Sequence, residues 1–316
     1  MSTVVRTPAR EAWDRFRKDR FAVVSLVVFG LFALTALVAQ IVELVDGPPF
    51  VYDLTLSEMG FEVSETATPP DPTHPLTSLG TTSQGKSVLI RAFHGTKVAF
   101  VVGTFGAGLA VLIGTTLGLV AGFFGRWIDE TVVYVYSTVA SIPYLLLMLA
   151  LAFIVRQGPI AEVYRSLWFA DYLSIGLFNI VVVVGCTSWV TLCRLVRAEV
   201  KKIRNLDYVQ AARALGLPPR RILIRHILPN VAHLVLINFS LTFVTAIKSE
   251  VILTFLGVGV DREPSWGQMI ADAKSELMQG IWWPLLTSGI ALFLLTLSVN
   301  VMADAMRDAL DPRLRN

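Results

Sequence analysis

One stretch of the chain has the residue types and the spacing of a phosphate-binding loop. Residues 80–87 are Gly-Thr-Thr-Ser-Gln-Gly-Lys-Ser, which fits the pattern G-x4-G-K-[ST], whose amides and lysine hold nucleotide phosphates. Such a loop follows a buried strand, whereas Pro72 and Pro75 make the preceding residues poor strand formers. No polar segment of the chain reaches the ~100–150 residues of a typical nucleotide-binding domain. We therefore interpret the match as a coincidence and expect no ATP site in this chain.

Residues suited to other chemistry are scattered along the chain. The histidines and cysteines are His74, His94, His226, His233, Cys186 and Cys193. The histidines show no metal-ligand spacing, and both cysteines lie in one apolar stretch, where a disulfide framework is not expected. No cluster of histidine, aspartate and glutamate indicates the active site of a membrane enzyme. We therefore expect no catalytic residue, no metal site and no bound cofactor in this chain.

Composition indicates the solvent in which the chain folds. Hydrophobic residues make up 54% of the 316 residues, charged residues make up 16%, and the mean hydropathy is +0.63. These values are too apolar for a water-soluble protein of this length. A helix needs about 20 mostly apolar residues to cross a bilayer. The segments that qualify are 21–45, 98–124, 131–155, 173–196, 231–256 and 284–306. We therefore predict an all-α integral membrane protein with six transmembrane helices.

Lysines and arginines are distributed unevenly between the predicted loops. Cytoplasmic loops of membrane proteins carry the excess of these residues. If the N-terminus is inside, 19 of them lie on the inner side and seven on the outer side. We therefore predict that both termini are cytoplasmic (N-in, C-in). The net charge of +3 suits anionic lipid of the inner leaflet, so no nucleic-acid partner is expected.

This topology divides the chain into five parts. They are a cytoplasmic tail (1–20), the first span (21–45), an extracytoplasmic loop (46–97), a core of five spans (98–306) and a second cytoplasmic tail (307–316). Within the first tail, Glu11 to Arg20 is expected to form a short amphipathic helix on the membrane surface. Glycines within the second span are expected to let helices pack closely. A basic cytoplasmic loop at 197–229 interrupts the core.

The loop at 197–229 has the pattern of two short helices. Asn205 or Asp207 can cap the start of the first helix, and Gly216 can end it in a left-handed conformation. Pro219 can open the second helix, and Pro229 is expected to mark a bend into the fifth span. We therefore predict a helical hairpin that lies parallel to the membrane on its cytoplasmic side.

The first helix of this hairpin is slim. Ala211 and Ala212 leave it narrow enough to enter a groove on another protein, while Arg213, Arg220 and Arg221 place positive charge around it. The alternative is a basic surface loop that only obeys the positive-inside rule. The residue pattern by itself leaves both interpretations open.

The same loop resembles the EAA loop of ABC importer permeases. That motif is E-A-A-x3-G, followed by I/V-L-P, and it occurs here as Gln210-Ala211-Ala212, Gly216 and Ile227-Leu228-Pro229. Gln210 replaces the usual glutamate, which puts any ion pair at that position in doubt.

Motifs elsewhere extend the resemblance over nearly the whole chain. They are similar to those of the dipeptide and oligopeptide branch, in the second of its two membrane subunits. The matching segments are 13–18, 74–76 with 80–86, Glu250 with 254–259, 264–269, and Asp304 with 311–313. The segment at 74–86 is looser than the family pattern, and it also contains the phosphate-loop match.

The resemblance implies a type I ABC importer permease with a MetI-like fold, in the prokaryotic cytoplasmic membrane. It implies as partners a second homologous permease subunit, two ABC ATPase subunits that bind ATP-Mg, and an extracytoplasmic substrate-binding protein, all around the lipid bilayer. The chain would then be a transport subunit and not an enzyme. Di- or oligopeptides are the implied solute, while related permeases carry nickel, glutathione or sugars. A channel or secondary-transporter subunit is a further alternative, since it would also have six spans.

The resemblance also assigns the coupling to ATP hydrolysis to this loop, because each EAA helix of the family sits in a cleft of an ATPase and moves with it. The expected coupling residues are Tyr208, Gln210, Ala211, Ala212, Arg213, Leu215, Gly216, Arg220, Arg221 and Pro229.

Four polar residues within the predicted spans are candidates for the translocation pathway: Lys248, Glu250, Asn238 and Asn300. Ionisable groups at membrane depth are costly and commonly functional. The alternative is that Glu250 is satisfied against a neighbouring helix and that Lys248 extends towards the membrane surface.

Overall fold

The computed structural model describes residues 13, 16–46, 52, 54–56, 58, 67–166 and 174–310. Ten helices make up most of this part of the chain, a short 3-10 helix lies at Pro75–Thr77, and the one β-bridge of these residues, between Thr81 and Ser87, is isolated. The helices are α1 (Arg20–Asp46), α2 (Val88–Phe124), α3 (Arg126–Ser141), α4 (Tyr144–Gln157), α5 (Pro159–Arg165), α6 (Ile175–Ile203), α7 (Asp207–Ala214), α8 (Pro219–Phe255), α9 (Trp266–Met278) and α10 (Trp283–Leu310). The prediction of an all-α membrane protein is confirmed.

Five helices are each long and apolar enough to cross a bilayer: α1, α2, α6, α8 and α10. The predicted span at 131–155 differs, because α3 and α4 meet at an angle of 97°. Pro143 has no amide hydrogen to donate and restricts the residue before it. Ile142 is accordingly extended, with φ −87° and ψ 132°. The segment predicted as the third span is therefore a bent pair of helices and not one straight helix.

Helices α2 and α6 run parallel and lie in unusually close contact. Gly114, Gly118 and Gly122 form a small-residue stripe on α2 that faces α6. A Cβ atom at 118 would lie 2.9 Å from the Cys193 carbonyl oxygen, and one at 122 would lie 2.9 Å from that of Arg197. Only glycine lets the two backbones approach so closely, which confirms the packing role expected for Gly114 and Gly118, whereas Gly108 has open space around it.

Helix α1 is fastened to α2 by charged side chains. Glu43 of α1 forms an ion pair with Lys97 and accepts or shares a hydrogen bond with His94 Nδ1 at 3.1 Å. All three side chains are largely buried. Helix α2 begins at Val88, before the predicted start of the second span. His94 and Lys97 therefore lie on a helix, within the region predicted as the outer loop 46–97. Pairing offsets the cost of placing these charges away from water.

Residues 80–87 form a packed loop. The amides of residues 82–86 all donate to protein acceptors, namely the Thr82 hydroxyl and carbonyl, the Lys86 carbonyl and a Glu276 carboxylate oxygen. Gly80 lies against the Trp283 ring, whose Nε1 donates to the Thr81 carbonyl at 2.8 Å. A phosphate-binding loop needs free amides, and these five are already used.

Pro229 lies inside a helix and does not separate the second helix of the predicted hairpin from the fifth span. Helix α8 is continuous from Pro219 to Phe255, through a π-helical segment at Leu223–Ile227. In this wider turn the Leu228 amide donates to the Leu223 carbonyl, and the Asn230 side chain donates to the His226 carbonyl at 2.6 Å. Through the π segment the helix continues past a residue that lacks an amide hydrogen. The second helix of the predicted hairpin is the first part of α8.

Of the amphipathic helix predicted over Glu11 to Arg20, residues 11, 12, 14 and 15 lie outside the described residues. Within its described part, the buried Phe16 packs against Ala22 of α1 and Ala305 of α10. The N-terminal segment therefore contacts the end of α10. The motif at 311–313 also lies outside the described residues.

Candidate functional site: a braced helix and a cavity

The ends of α2 and α6 form a rigid base for the segment that follows them. Arg204, just after α6, donates to the Gly122 carbonyl at 2.8 Å. Asp129 of α3 receives the guanidinium of Arg197 and, at 2.6 Å, the ammonium of Lys201. These contacts tie three helices together at one end of the molecule. Helix α7 follows directly from this base.

The start of α7 differs from the prediction. Its N-cap is Leu206, and neither Asn205 nor Asp207 caps it with a side chain. Instead, the Gln210 side chain donates from Nε2 to the Arg204 carbonyl at 3.0 Å. An ionised glutamate has no hydrogen to donate, so this bond requires the amide. The departure of Gln210 from the family motif thus has a local structural role.

The two alanines of the motif face opposite environments. Ala211 is exposed, whereas Ala212 is only 5% exposed and packs, with Val209, against Ile203 and Ile222. The sequence-based explanation of Ala212 as a residue that slims the outer surface is therefore corrected. With a 3.6-residue period, neighbouring positions on a helix point in different directions. Ala212 lets α7 lie close to its own core.

Gly216 ends α7 as predicted. Its φ is +74°, the Leu217 amide donates to the Ala212 carbonyl at 3.2 Å, and the Gly216 amide donates to the Arg213 carbonyl at 2.9 Å. This pair of bonds defines a Schellman motif, which favours glycine in the left-handed position. No atom lies within 4 Å of a Cβ built at Gly216. The backbone conformation, and not crowding, therefore requires glycine here.

Two further motif residues brace α7. The Arg213 guanidinium carbon lies 4.5 Å from the centre of the Phe123 ring, and Asn230 donates to the Tyr208 hydroxyl at 3.2 Å. These contacts connect α7 to α2 and to α8. By contrast, Arg220 and Arg221 are exposed at the start of α8 and form no ion pair within the described residues.

The outer face of α7 presents small and apolar groups. We define the docking face as Tyr208, Ala211, Ala214 and Leu215, which are exposed and lie three or four residues apart on one side of the helix. Leu215 is 82% exposed. A rigid helix with an exposed leucine at its tip is suited to insertion into an apolar groove of another protein.

A cavity of about 660 Å³ lies between the α3–α4 bend and the middle of α6 and α8. Hydroxyl and amide groups contribute much of its polar lining. The polar residues without charge are Ser141, Tyr144, Thr187, Ser188, Thr191, Asn238, Thr242 and Thr245. Its size lies within the range of ~300–1,000 Å³ that is typical of small-molecule sites.

The predicted pathway residues do not all line the cavity. Asn238 lines it, and Lys248, Glu250 and Asn300 do not. Glu250 is only 1% exposed, accepts a hydrogen bond from the Thr254 hydroxyl at 2.9 Å, and is also bonded by the Ser265 hydroxyl. It therefore connects α8 to the start of α9 as a satisfied buried group. Lys248 is exposed on α8, and Asn300 is half-buried on α10.

A hydroxyl bridge beside the cavity was not identified in the sequence. The Tyr144 hydroxyl lies 3.1 Å from Ser188 Oγ and 3.2 Å from Ser249 Oγ. Tyr144 follows Pro143 directly, so the bridge ties the start of α4 to α6 and α8 at the bend. The available signal in the sequence was the proline within an apolar stretch.

Comparison with known proteins places this arrangement in a family. Residues 114–316 match the family described as "Binding-protein-dependent transport system inner membrane component", and residues 7–60 match "N-terminal TM domain of oligopeptide transport permease C".

Curated relatives align over nearly their full length. The dipeptide transport system permease protein DppC of Alkalihalophilus pseudofirmus is 30% identical over 98% of this chain and 91% of its own. The glutathione transport system permease protein GsiD of Pectobacterium atrosepticum is 31% identical over 99% and 93%. The di/tripeptide transport system permease protein DppC of Pseudomonas aeruginosa is 30% identical over 100% and 95%. The chain therefore belongs to the inner-membrane permease components of binding-protein-dependent ABC transport systems.

Proposed function

We propose that this permease forms, with a second permease subunit, the pathway of an ATP-driven importer for di- and oligopeptides. Relatives at about 30% identity are named for dipeptide, di/tripeptide and glutathione transport. A short peptide presents amide and carboxyl groups, and the hydroxyl-rich cavity offers partners for both. Glutathione is itself a small peptide, so the same lining suits it.

The cavity chemistry argues against nickel as the solute. Among the described residues that line it, there is no carboxylate, imidazole or thiol. These are the side chains that bind nickel and similar cations in proteins. A channel subunit would not need a helix braced in three places and ended by a Schellman motif. The peptide interpretation therefore accounts for more of the structure than a nickel permease or a channel subunit would.

We propose that the exposed docking face of α7 couples ATP hydrolysis in a partner ATPase to transport. We infer that this face inserts into a cleft of a cytosolic ATPase, that both termini are cytoplasmic, and that ATP-Mg is bound by two such ATPases. Because α7 is bonded to α2, to the end of α6 and to α8, a displacement of α7 would move the helices that border the cavity. The cavity would then open outwards and receive solute from an extracytoplasmic binding protein.

The experiment is uptake by the complete complex in proteoliposomes. The two permeases, two ATPases and the binding protein are reconstituted, and radiolabelled dipeptide, tripeptide, glutathione and nickel are offered with and without ATP. We expect ATP-dependent uptake of the peptides and none of nickel. Uptake of nickel alone, or peptide uptake by this chain without ATPases, would contradict the proposal.

A further inference from the structure

Arg194 is the one charged residue among the described residues that line the cavity. It lies on α6, at the part of the cavity nearest the end that carries α7, and its side chain is exposed to the cavity space. A charge that lines a cavity interacts more strongly with an ionised group that enters than a charge in bulk water does. It therefore dominates the electrostatic character of this space.

The guanidinium of Arg194 is held in place without an acidic partner in the described part of the chain. Its central carbon lies 4.8 Å from the centre of the Tyr136 ring on α3. Asp129, two turns before Tyr136 on α3, is not available as a partner, because both of its carboxylate oxygens are bonded by Arg197 and Lys201. Stacking on an aromatic ring positions a guanidinium and leaves its N–H groups at the edge available to donate.

We propose that Arg194 is a specificity-determining residue, which binds the carboxylate of a peptide during passage through the cavity. This inference rests on the proposed peptide function. A guanidinium donates two parallel hydrogen bonds to a carboxylate, and such charge-assisted bonds are stronger than bonds to a neutral group. The neighbouring hydroxyls of Thr191 and Thr242 can serve the uncharged amide groups of the same solute.

The test compares each peptide with its C-terminal amide. Uptake of a dipeptide and of the dipeptide amide is measured with the complete complex, and the ratio of the two rates is compared between wild type and Arg194→Gln. The same binding protein is used throughout, so its own preference cancels in the comparison. We expect the acid-to-amide ratio to fall about tenfold in Arg194→Gln.

Two further variants separate charge at this site from charge in general. Arg194→Lys keeps the charge and should retain most of the preference for the acid. Arg307→Gln removes an exposed cation of α10 that does not line the cavity, and it should leave the ratio unchanged.

An unchanged ratio in Arg194→Gln would overturn the inference and leave the peptide function intact. Equal losses for acid and amide, or loss of the second permease from the purified variant complex, would also overturn it, since Arg194 would then serve assembly or folding. If the wild-type complex carries neither peptide, the proposed function itself fails, and this inference fails with it.

Discussion

Truncation of Leu215 tests whether the docking face binds an ATPase. Burying a whole leucine side chain contributes about 1.5–3 kcal/mol, and 82% of Leu215 is available to be buried by a partner. Leu215→Ala keeps part of that area, so we expect a loss of about 1.4 kcal/mol, or roughly tenfold in affinity. The substitution should leave the fold of this chain unchanged, since the side chain makes few contacts within it.

The assay measures the affinity of the purified ATPase for the permease pair in lipid nanodiscs, together with the thermal unfolding midpoint of the pair. Leu215→Met conserves the apolar volume and should change the affinity less than twofold. An ATPase affinity that is unaltered by Leu215→Ala, at unaltered stability, would refute the assignment of this face.

Arginine substitutions at Ala211 and Ala212 test which of these two residues faces outwards on α7. Ala211→Arg adds bulk to the exposed docking face, so ATP-driven uptake should be lost while the protein still inserts and folds. Ala212→Arg instead forces a charged chain into a buried position, which costs several kcal/mol. It should therefore reduce the amount of folded protein recovered. Equal folding yields for the two variants would contradict the inward direction of Ala212.

Three further substitutions test the supporting structure by thermal unfolding of the purified protein. Gly216→Ala should lower stability by about 1–2 kcal/mol, because φ is +74° there, and an unaltered midpoint would contradict the left-handed end of α7. Gly118→Leu should prevent accumulation of folded protein, because the α6 backbone lies against Gly118. Gly108→Leu should be tolerated, because Gly108 has open space around it. Equal yields of folded protein for these two variants would contradict the close packing. Tyr144→Phe should cost about 1 kcal/mol through loss of its bridge to two serines, and no change would show that the bridge is unimportant.

The transmembrane helices could be predicted because lipid leaves the backbone few choices. Within hydrocarbon each amide and carbonyl must be bonded inside its own segment, so a long apolar run forms a helix. The effect of a proline was less predictable. Pro143 separates two helices at 97°, whereas Pro229 lies within a continuous one. The difference depends on a π segment and on the Asn230 side chain, and a hydropathy pattern contains no information on either.

The candidate site could be predicted in part. Gly216 was identified because its role follows from backbone conformation, which is a local property. The direction of Ala212 depends on the rotation of α7 about its axis, and that rotation is set by packing against α6 and α8. Glu250 resembled a pathway residue in the sequence, because its partners Thr254 and Ser265 become neighbours only when the chain folds. Arg194 stood out only as one of several basic residues near the loop.

Site-directed cross-linking tests the central claim, that α7 is the contact with the ATPase, most directly. Cys186 is exposed and would be replaced by serine, while Cys193 is buried. Cysteine would then be placed at Ala211 or, as a control, at Met278, which is 90% exposed on α9.

The measurement is the yield of the permease–ATPase product in membranes, with and without ATP. The account predicts cross-linking from position 211, with a yield that changes on ATP binding, and none from position 278. A product from position 278 but none from position 211 would contradict it.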